Sequence, residues 1–385
     1  MRHLVMFALV TAALSQPAPQ TQLSHTTESL RGVSVVSQNI AWASGTHGTY
    51  LRTTDAGRIW TPAQIPGAES LDLRAVVAFS ADEAFLMSAG PGDQSRIYHT
   101  ADAGQHWQLQ LTSTNPKAFF DSMAFWDPTH GIVLGDPVPD ETGTPKFQLL
   151  MTTDGQSWTP IPPSQLPPAI EGEGAFAASN TCLAILSNND PNIWFAAGGR
   201  AARVFHSPDR GRTWQVSATP ITHGPDSAGI FSIAFRDASH GVIAGGDYKH
   251  PDQDGPNLAF TNDGGLTWTV SPIHPQAYFS AVAYDRQSIT LSFRPEHSVA
   301  ESNAMRSGGT CCSESSPLPS RLNENQTHAR LFIVAPKFIF DFRPPQDPTR
   351  ISPRKKSATQ FNAVSPYPTG GALFVGPHGS IVTIP

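Results

Sequence analysis

The chain has 385 residues, of which 39% are hydrophobic and 15% charged, with 31 glycines and 35 prolines. So few charges and so many turn formers point to an all-β chain, and no long stretch carries apolar residues at helical spacing. The net charge of −6, without a clustered basic face, excludes a nucleic-acid footprint. The three cysteines, Cys182 and the vicinal Cys311 and Cys312, argue against a disulfide framework or a CxxC metal site.

In chain order, residues 1–15 read as a signal peptide. Arg2 and His3 form a short basic start, Leu4 to Leu14 is apolar, and Ala13 and Ser15 are small residues before a cut at Gln16. An apolar run of about 11 residues is too short to span a bilayer, so the chain is expected to be exported and not integral to a membrane. Residues 16–29 begin as a Pro/Gln-rich leader, and the segment around Gln20–Thr27 is free to serve as a closing strand.

From residue 30 to 290 one pattern recurs. Segments beginning at Thr53, Thr100, Ser207 and Thr261 match S/T-x-D-x-G-x-x-W, and a fifth copy beginning at Thr152 is one residue short. Their aspartates, Asp55, Asp102, Asp154, Asp209 and Asp263, are 47, 52, 55 and 54 residues apart. That period suits one four-stranded unit per repeat. The aspartate is placed to accept N–H groups of its own turn. Gly57, Gly104, Gly211 and Gly265 supply positive φ, and Trp60, Trp107, Trp158, Trp214 and Trp268 open the next strand and pack between units. These residues read as structural markers of a hairpin between two outer strands.

Each motif follows two apolar strands. The first strands are read at Gly32–Val35, Ala75–Phe79, Ser122–Phe125, Gly174–Ala177 and Ser232–Phe235. The second are read at Ile40–Gly45, Ala84–Gly90, Gly131–Gly135, Ile193–Gly199 and Gly241–Gly246. Cys182, in the apolar run 181–186, reads as a small buried hydrophobe. A sixth unit starts at Tyr278–Tyr284. Residues 291–358 break the pattern: no motif stands near position 315, ten Lys/Arg face six Asp/Glu, and only 329–342 has strand character. This stretch reads as an atypical insertion or a degenerate sixth unit. Residues 359–385 give three strands of a last unit, whose fourth would come from the N-terminal strand. The expected fold is an all-β β-propeller of seven four-stranded blades, with six and eight as the neighbouring counts.

The repeated motif, with Phe120–Asp127, Gly135–Pro137, Gly172–Ser179 and Gly245–Tyr248, resembles the exported bacterial BNR/Asp-box propellers. These include proteins similar to photosystem II stability/assembly factors and to sialidases. The resemblance covers residues 30–285 and 359–385. It implies the propeller and a secreted or periplasmic location. It does not settle activity, because glycosidases and plain binding proteins share this fold.

Chemistry is expected at one end of the ring, where first strands begin and second strands end. The openings are Arg31, Arg74, Asp121, Glu173, Phe231, Ser280 and Asn362. The positions past the second strands include His47, Asp136, Arg200, Asp247, Tyr248, Lys249 and His378. Arg31, Arg74, His47, Arg200, Tyr248 and Lys249 form the expected binding rim. Asp121, Asp136, Glu173 and Asp247 are the candidate acid–base carboxylates of a glycan-active enzyme, with Trp126 and Tyr248 as sugar platforms; equally, these carboxylates cap loops or pair with Arg31 and Arg74. His130 and His240 read as turn residues. The histidines lack short ligand spacing, so no metal is expected, and no cofactor, because no Rossmann or phosphate-loop glycine pattern is present. The leading expectation is a monomeric, non-catalytic binding or assembly scaffold for a protein or glycan; the alternative is a glycoside hydrolase.

Overall fold

The computed structural model describes residues 18–186, 190–272, 277–285, 330–335, 338–342, 353–356 and 361–385. The expected signal peptide, residues 1–15, and the region around position 315 lie outside the described residues. Among the described residues the architecture is all-β, with two short 3-10 turns. Among the described residues the strands form six four-stranded sheets and one six-stranded sheet, every pairing antiparallel.

The first sheet consists of Leu30–Val35, Ala41–Gly45, Thr49–Thr53 and Thr61–Gln64. The second is Asp72–Ala78, Ala84–Ala89, Arg96–Thr100 and Gln108–Thr112. The third is Phe120–Asp127, His130–Pro139, Pro145–Thr152 and Thr159–Pro160. The fourth is Leu183–Ile185, Ile193–Ala196, Arg203–Ser207 and Gln215–Ala218. The fifth is Ala228–Phe235, Gly241–Asp247, Leu258–Thr261 and Thr269–Val270, extended on its inner edge by Gly198–Gly199 and Glu173–Gly174. Ala281–Tyr284, Leu331–Ala335, Phe338–Phe342 and Pro353–Lys356 form the sixth. The stretch that breaks the repeat therefore still supplies three paired strands. Ala363–Pro366, Ala372–Gly376, Ser380–Ile384 and the N-terminal Gln20–Gln22 form the closing sheet, with Gln20 opposite Thr383.

Each sheet's first strand packs against the first strands of the sheets before and after it, and the closing sheet's against that of the first sheet. The result is a β-propeller closed by its N- and C-terminal strands, which removes the edge an open ring would expose. Seven apolar clusters fill the seams between neighbouring sheets. Crowding at the axis explains the small residues there: a Cβ on Gly32 would stand 2.7 Å from Ser44 Oγ and 3.0 Å from Arg74 O.

The five motif segments each join the third and fourth strands of their sheet. In the first, Thr53 Oγ1 donates to Asp55 Oδ1 at 2.9 Å and accepts from Gly57 N at 3.0 Å, while Asp55 Oδ1 accepts from Ile59 N at 3.0 Å. The same bonds recur at Thr100/Asp102, Thr152/Asp154, Ser207/Asp209 and Thr261/Asp263. The glycine is not alone in the left-handed region, because Ala56, Ala103 and Arg210 before it also have φ near +60°. The tryptophans point toward the preceding sheet. Trp107 meets Trp42 and Tyr50 edge-on, and Trp60, 1% exposed, donates from Nε1 to Gln22 Oε1 of the closing strand at 2.8 Å.

One expected strand is displaced. Gly174–Ala177 is not the first strand of the fourth sheet; that role belongs to Leu183–Ile185. Ala175, Phe176, Ala177 and Ala178 have too few bulky side chains to fill both seams. Cys182, Leu183 and Ile185 pack against the third sheet, with Cys182 fully buried.

Candidate functional site

First strands begin and second strands end at one end of the ring, and the motif turns lie at the other. The first end holds a cavity of about 840 Å³, lined by Arg31, Arg74, Asp121, Asp136, Glu173, Phe231, Tyr248, Ser280 and Asn362, together with Lys117, Asp226 and Tyr278. The repeat register thus brought nine of the expected end residues into one concave lining. His47, Arg200, Asp247, Lys249 and His378 are not part of that lining.

The cavity floor was not expected. Residues 175–181 leave the sheet pattern and cross the centre of the ring. Ala175 N donates to Asp136 Oδ1 at 2.9 Å, and Phe176 stacks on Phe231 with centroids 3.9 Å apart. Arg74 Nη1 donates to Ala177 O at 2.9 Å, and Ser179 Oγ donates to Ser280 O at 2.8 Å. Asn180 Oδ1 accepts from Ser122 Oγ at 3.1 Å and from Met123 N at 2.7 Å, and Ile233 N donates to Thr181 O at 2.8 Å. This strap is pinned to the second, third, fifth and sixth sheets, so the cavity is a bowl and not a through-channel.

The four candidate carboxylates divide in two. Glu173 has a fully buried side chain and is held bidentate by Arg203, with Nε on Oε1 at 2.7 Å and Nη2 on Oε2, while Ile170 N donates to Oε2 at 2.8 Å. Asp247 caps its own turn, accepting from Lys249 N at 2.9 Å and contacting His250 Nδ1 at 2.7 Å. Both are committed to structure. Among the described residues Asp136 has only the Ala175 bond, and burial pushes its pKa up to about 6. Asp121 is 1% exposed, and among the described residues neither carboxylate oxygen has a hydrogen-bond partner. Burial raises its pKa well above the usual carboxylate range; the nearby Asp136 charge adds to the rise and Arg74 opposes it.

Arg31 and Arg74 do not pair with these candidates. Both turn to Asp72, Arg74 Nε at 2.8 Å and Arg31 Nε at 3.4 Å. Asp72 and Arg203 are site partners that the repeat pattern does not mark, because each is recruited by a contact between strands and not by its own motif. Trp126 lies away from the cavity, donating from Nε1 to Asp190 O at 2.9 Å beside Arg210. His130 and His240 sit in turns against Asp127 and Asp237. Among the described residues no group of three or more His, Cys, Asp or Glu is arranged to hold a metal ion, and no helix is long and apolar enough to cross a membrane.

A family model described as photosynthesis system II assembly factor YCF48 matches residues 11–119. The photosystem II assembly protein Ycf48 of Synechococcus sp. (strain JA-2-3B'a(2-13)) is 22% identical over 276 residues, 53% of this chain and 78% of that protein. The solved structure of YCF48 bound to D1 peptide superposes with a TM-score of 0.59 at 12% identity, over 97% of this chain and 96% of that one. A streptogramin B lyase structure superposes with a TM-score of 0.57 at 8% identity, over 95% and 96%. Likeness at such identities carries the ring and not the chemistry. Motif, ring and sequence matches agree that the chain is a BNR/Asp-box-type β-propeller related to the photosystem II assembly factor Ycf48.

Proposed function

We propose that the chain is an extracytoplasmic, non-catalytic binding or assembly scaffold that takes a protein partner in the strap-floored bowl. In this reading the ring has seven blades, the fifth extended by two short strands, and the motif turns are its Asp-box hairpins. The carrying observation is the bowl itself: a concave site of about 840 Å³ lined by charged groups and by Phe231, Tyr248 and Tyr278. Two of the four carboxylates that acid–base chemistry would use are tied into the fold. Kinship with an assembly factor and the structure of YCF48 with a peptide support a protein ligand.

The test is site-specific photocrosslinking in the native host. A benzophenone side chain replaces Tyr248 at the bowl, 48% exposed, or Ile59 on a motif turn, 62% exposed. A discrete protein adduct from position 248 and none from 59 is expected. Equal labelling from both, or none from 248, removes the bowl as the docking face.

One observation favours a second reading, a glycan-active hydrolase: among the described residues Asp121 has no hydrogen-bond partner and Asp136 only the Ala175 N–H, and burial raises both pKa values. Turnover of any chromogenic glycoside or polysaccharide that disappears in Asp136→Asn would replace the scaffold reading with this one.

A further inference from the structure

The third sheet is built unevenly. Its third strand, Pro145–Thr152, has eight residues, but its fourth, Thr159–Pro160, pairs only with Leu150 and Met151. Ile161 N adds one bond to Leu149 O at 2.8 Å, and the chain then turns off through Pro162 into the short 3-10 turn Pro163–Gln165. Pro145, Lys146, Phe147 and Gln148 are left with no strand on that side. In the second sheet, by contrast, the fourth strand runs from opposite His99 to opposite Arg96. The place of the missing strand is a second cavity, of about 420 Å³.

This cavity is apolar and preformed. Leu111, Phe120 and Leu150, from the seam between the second and third sheets, line it together with Val138. Pro139, Pro160 and Pro163 stand at its exposed rim, where their fixed rings lose no side-chain freedom on contact. Its charged and amide groups are already engaged. Lys146 Nζ donates to Leu166 O, Gln148 Nε2 donates to Asp136 O at 3.0 Å, and Asp140 accepts from Thr142 N and Thr144 N of its own turn. The lining therefore favours an uncharged group, and an aromatic ring buries the most apolar area for the fewest frozen torsions.

The cavity also adjoins the bowl. Successive residues at two places line one space each: Phe119 the bowl and Phe120 the cavity, Pro137 the bowl and Val138 the cavity. The two hollows are thus the two sides of one thin wall, a distance spanned by roughly three residues of extended chain. We propose that the second cavity is an anchor site for an aromatic side chain of the protein partner whose neighbouring residues occupy the bowl. This deepens the scaffold reading and rests on it.

The experiment uses the full chain and has two arms. In the first, methyl-labelled protein is titrated with N-acetyl-phenylalaninamide or N-acetyl-glutaminamide and read by NMR. The phenylalanine probe is expected to shift the methyl signals of Leu111, Val138 and Leu150 with an affinity on the order of 1 mM. The glutamine probe should leave them in place, and neither should move Leu373 or Ile381 of the closing sheet. In the second arm, a benzophenone side chain at Thr114, exposed on the cavity lining, is expected to give the same protein adduct in the native host as one at Tyr248. Val138→Trp, which fills the cavity, should cut the Tyr248 adduct by about tenfold or more while melting as a folded protein. Val138→Gln, which makes the cavity polar, should cut it less, and Leu266→Trp, on a motif turn 55% exposed, should leave it unchanged. The anchor is overturned by unmoved cavity methyls, and by an adduct from Thr114 that is missing, is a different protein or is a second copy of this chain. It is equally overturned by a Tyr248 adduct that survives both Val138 variants. Each of these outcomes leaves the scaffold reading standing, whereas no adduct from Tyr248 in the otherwise unaltered chain overturns both.

Discussion

The aspartates at the two ends of the ring are the same chemical group in opposite circumstances. At the motif turns Asp55, Asp102 and Asp154 are held low chiefly by backbone N–H groups of Ile59, His106 and Ser157, and Asp102 reaches about 2. At Asp209 and Asp263 burial pushes upward, but the hydroxyls and N–H groups of Thr213 and Thr267 win, and Asp263 also reaches about 2. In the bowl Asp121 and Asp136 meet crowding with almost no donors, and burial drives both upward. A turn that carries its own donors satisfies a carboxylate wherever it is copied. A carboxylate reached only through tertiary packing is satisfied only if some distant group has been placed there. The repeated end therefore satisfies its carboxylates in every copy, and the irregular end leaves two of them short of donors.

That contrast can be broken by substitution. The largest effect is expected from Trp60→Ala, which empties a buried seam and frees Gln22 of the closing strand. It should lower the unfolding free energy by about 4 kcal/mol in urea titrations. A loss under 1 kcal/mol would mean that the motif tryptophans are ornaments on the ring. Next is the pH profile. Asp136 has a folded pKa of about 6, above the ordinary value of 3.8. Its contribution is fully present below about pH 4 and is lost as the pH rises through 6, roughly 3 kcal/mol in all. Asp136→Asn should flatten the stability curve by that amount between pH 4 and 7. The motif aspartates act in the other direction, losing their contribution only in strong acid. A smaller effect is expected at Ser207, whose buried hydroxyl donates to Asp209 and accepts from Gly211 N. Ser207→Ala should cost about 1–2 kcal/mol by the same titration. The smallest change carries the opposite sign: Asp121→Asn should raise stability at pH 8 by about 1 kcal/mol, read from the melting temperature, since burial disfavours the charged form of the carboxylate it replaces. A drop there would show that the bowl end also serves stability and would erase the division.

Legibility followed the same line. The spacing of five motifs fixed strand register, and register alone carried Arg31, Arg74, Asp121 and Asp136 to one lining, because a strand's start and end are local properties. Illegible were the partnerships. Asp72 takes Arg31 and Arg74, and Arg203 takes Glu173, through approaches that no period encodes. The Gly/Ala segment after Glu173 looked like an inner strand because small residues suit the axis. It crosses the axis for the same reason, since only a slim backbone fits there. In the stretch past residue 290, strand character was legible over 329–342, where the structure has two strands, Leu331–Ala335 and Phe338–Phe342. Pro353–Lys356 was not, because a Pro-Arg-Lys-Lys edge has no apolar alternation.

The three-residue strand that latches the ring has a kinetic consequence. Gln20 meets Thr383 across nearly the whole chain, and in a flexible coil a loop of that size costs roughly 5 kcal/mol of entropy to close. A short strand with a partly exposed backbone cannot meet that cost by itself, so the pairing forms only after the intervening sheets have stacked and drawn the ends together. Gln22 then clasps three parts at once: the Trp60 indole, the Ala56 carbonyl and the Thr383 hydroxyl. Assembly should end at this clasp and mechanical or thermal opening should begin there, which makes the seam beside Gln22 the gate through which the molecule enters and leaves its folded state.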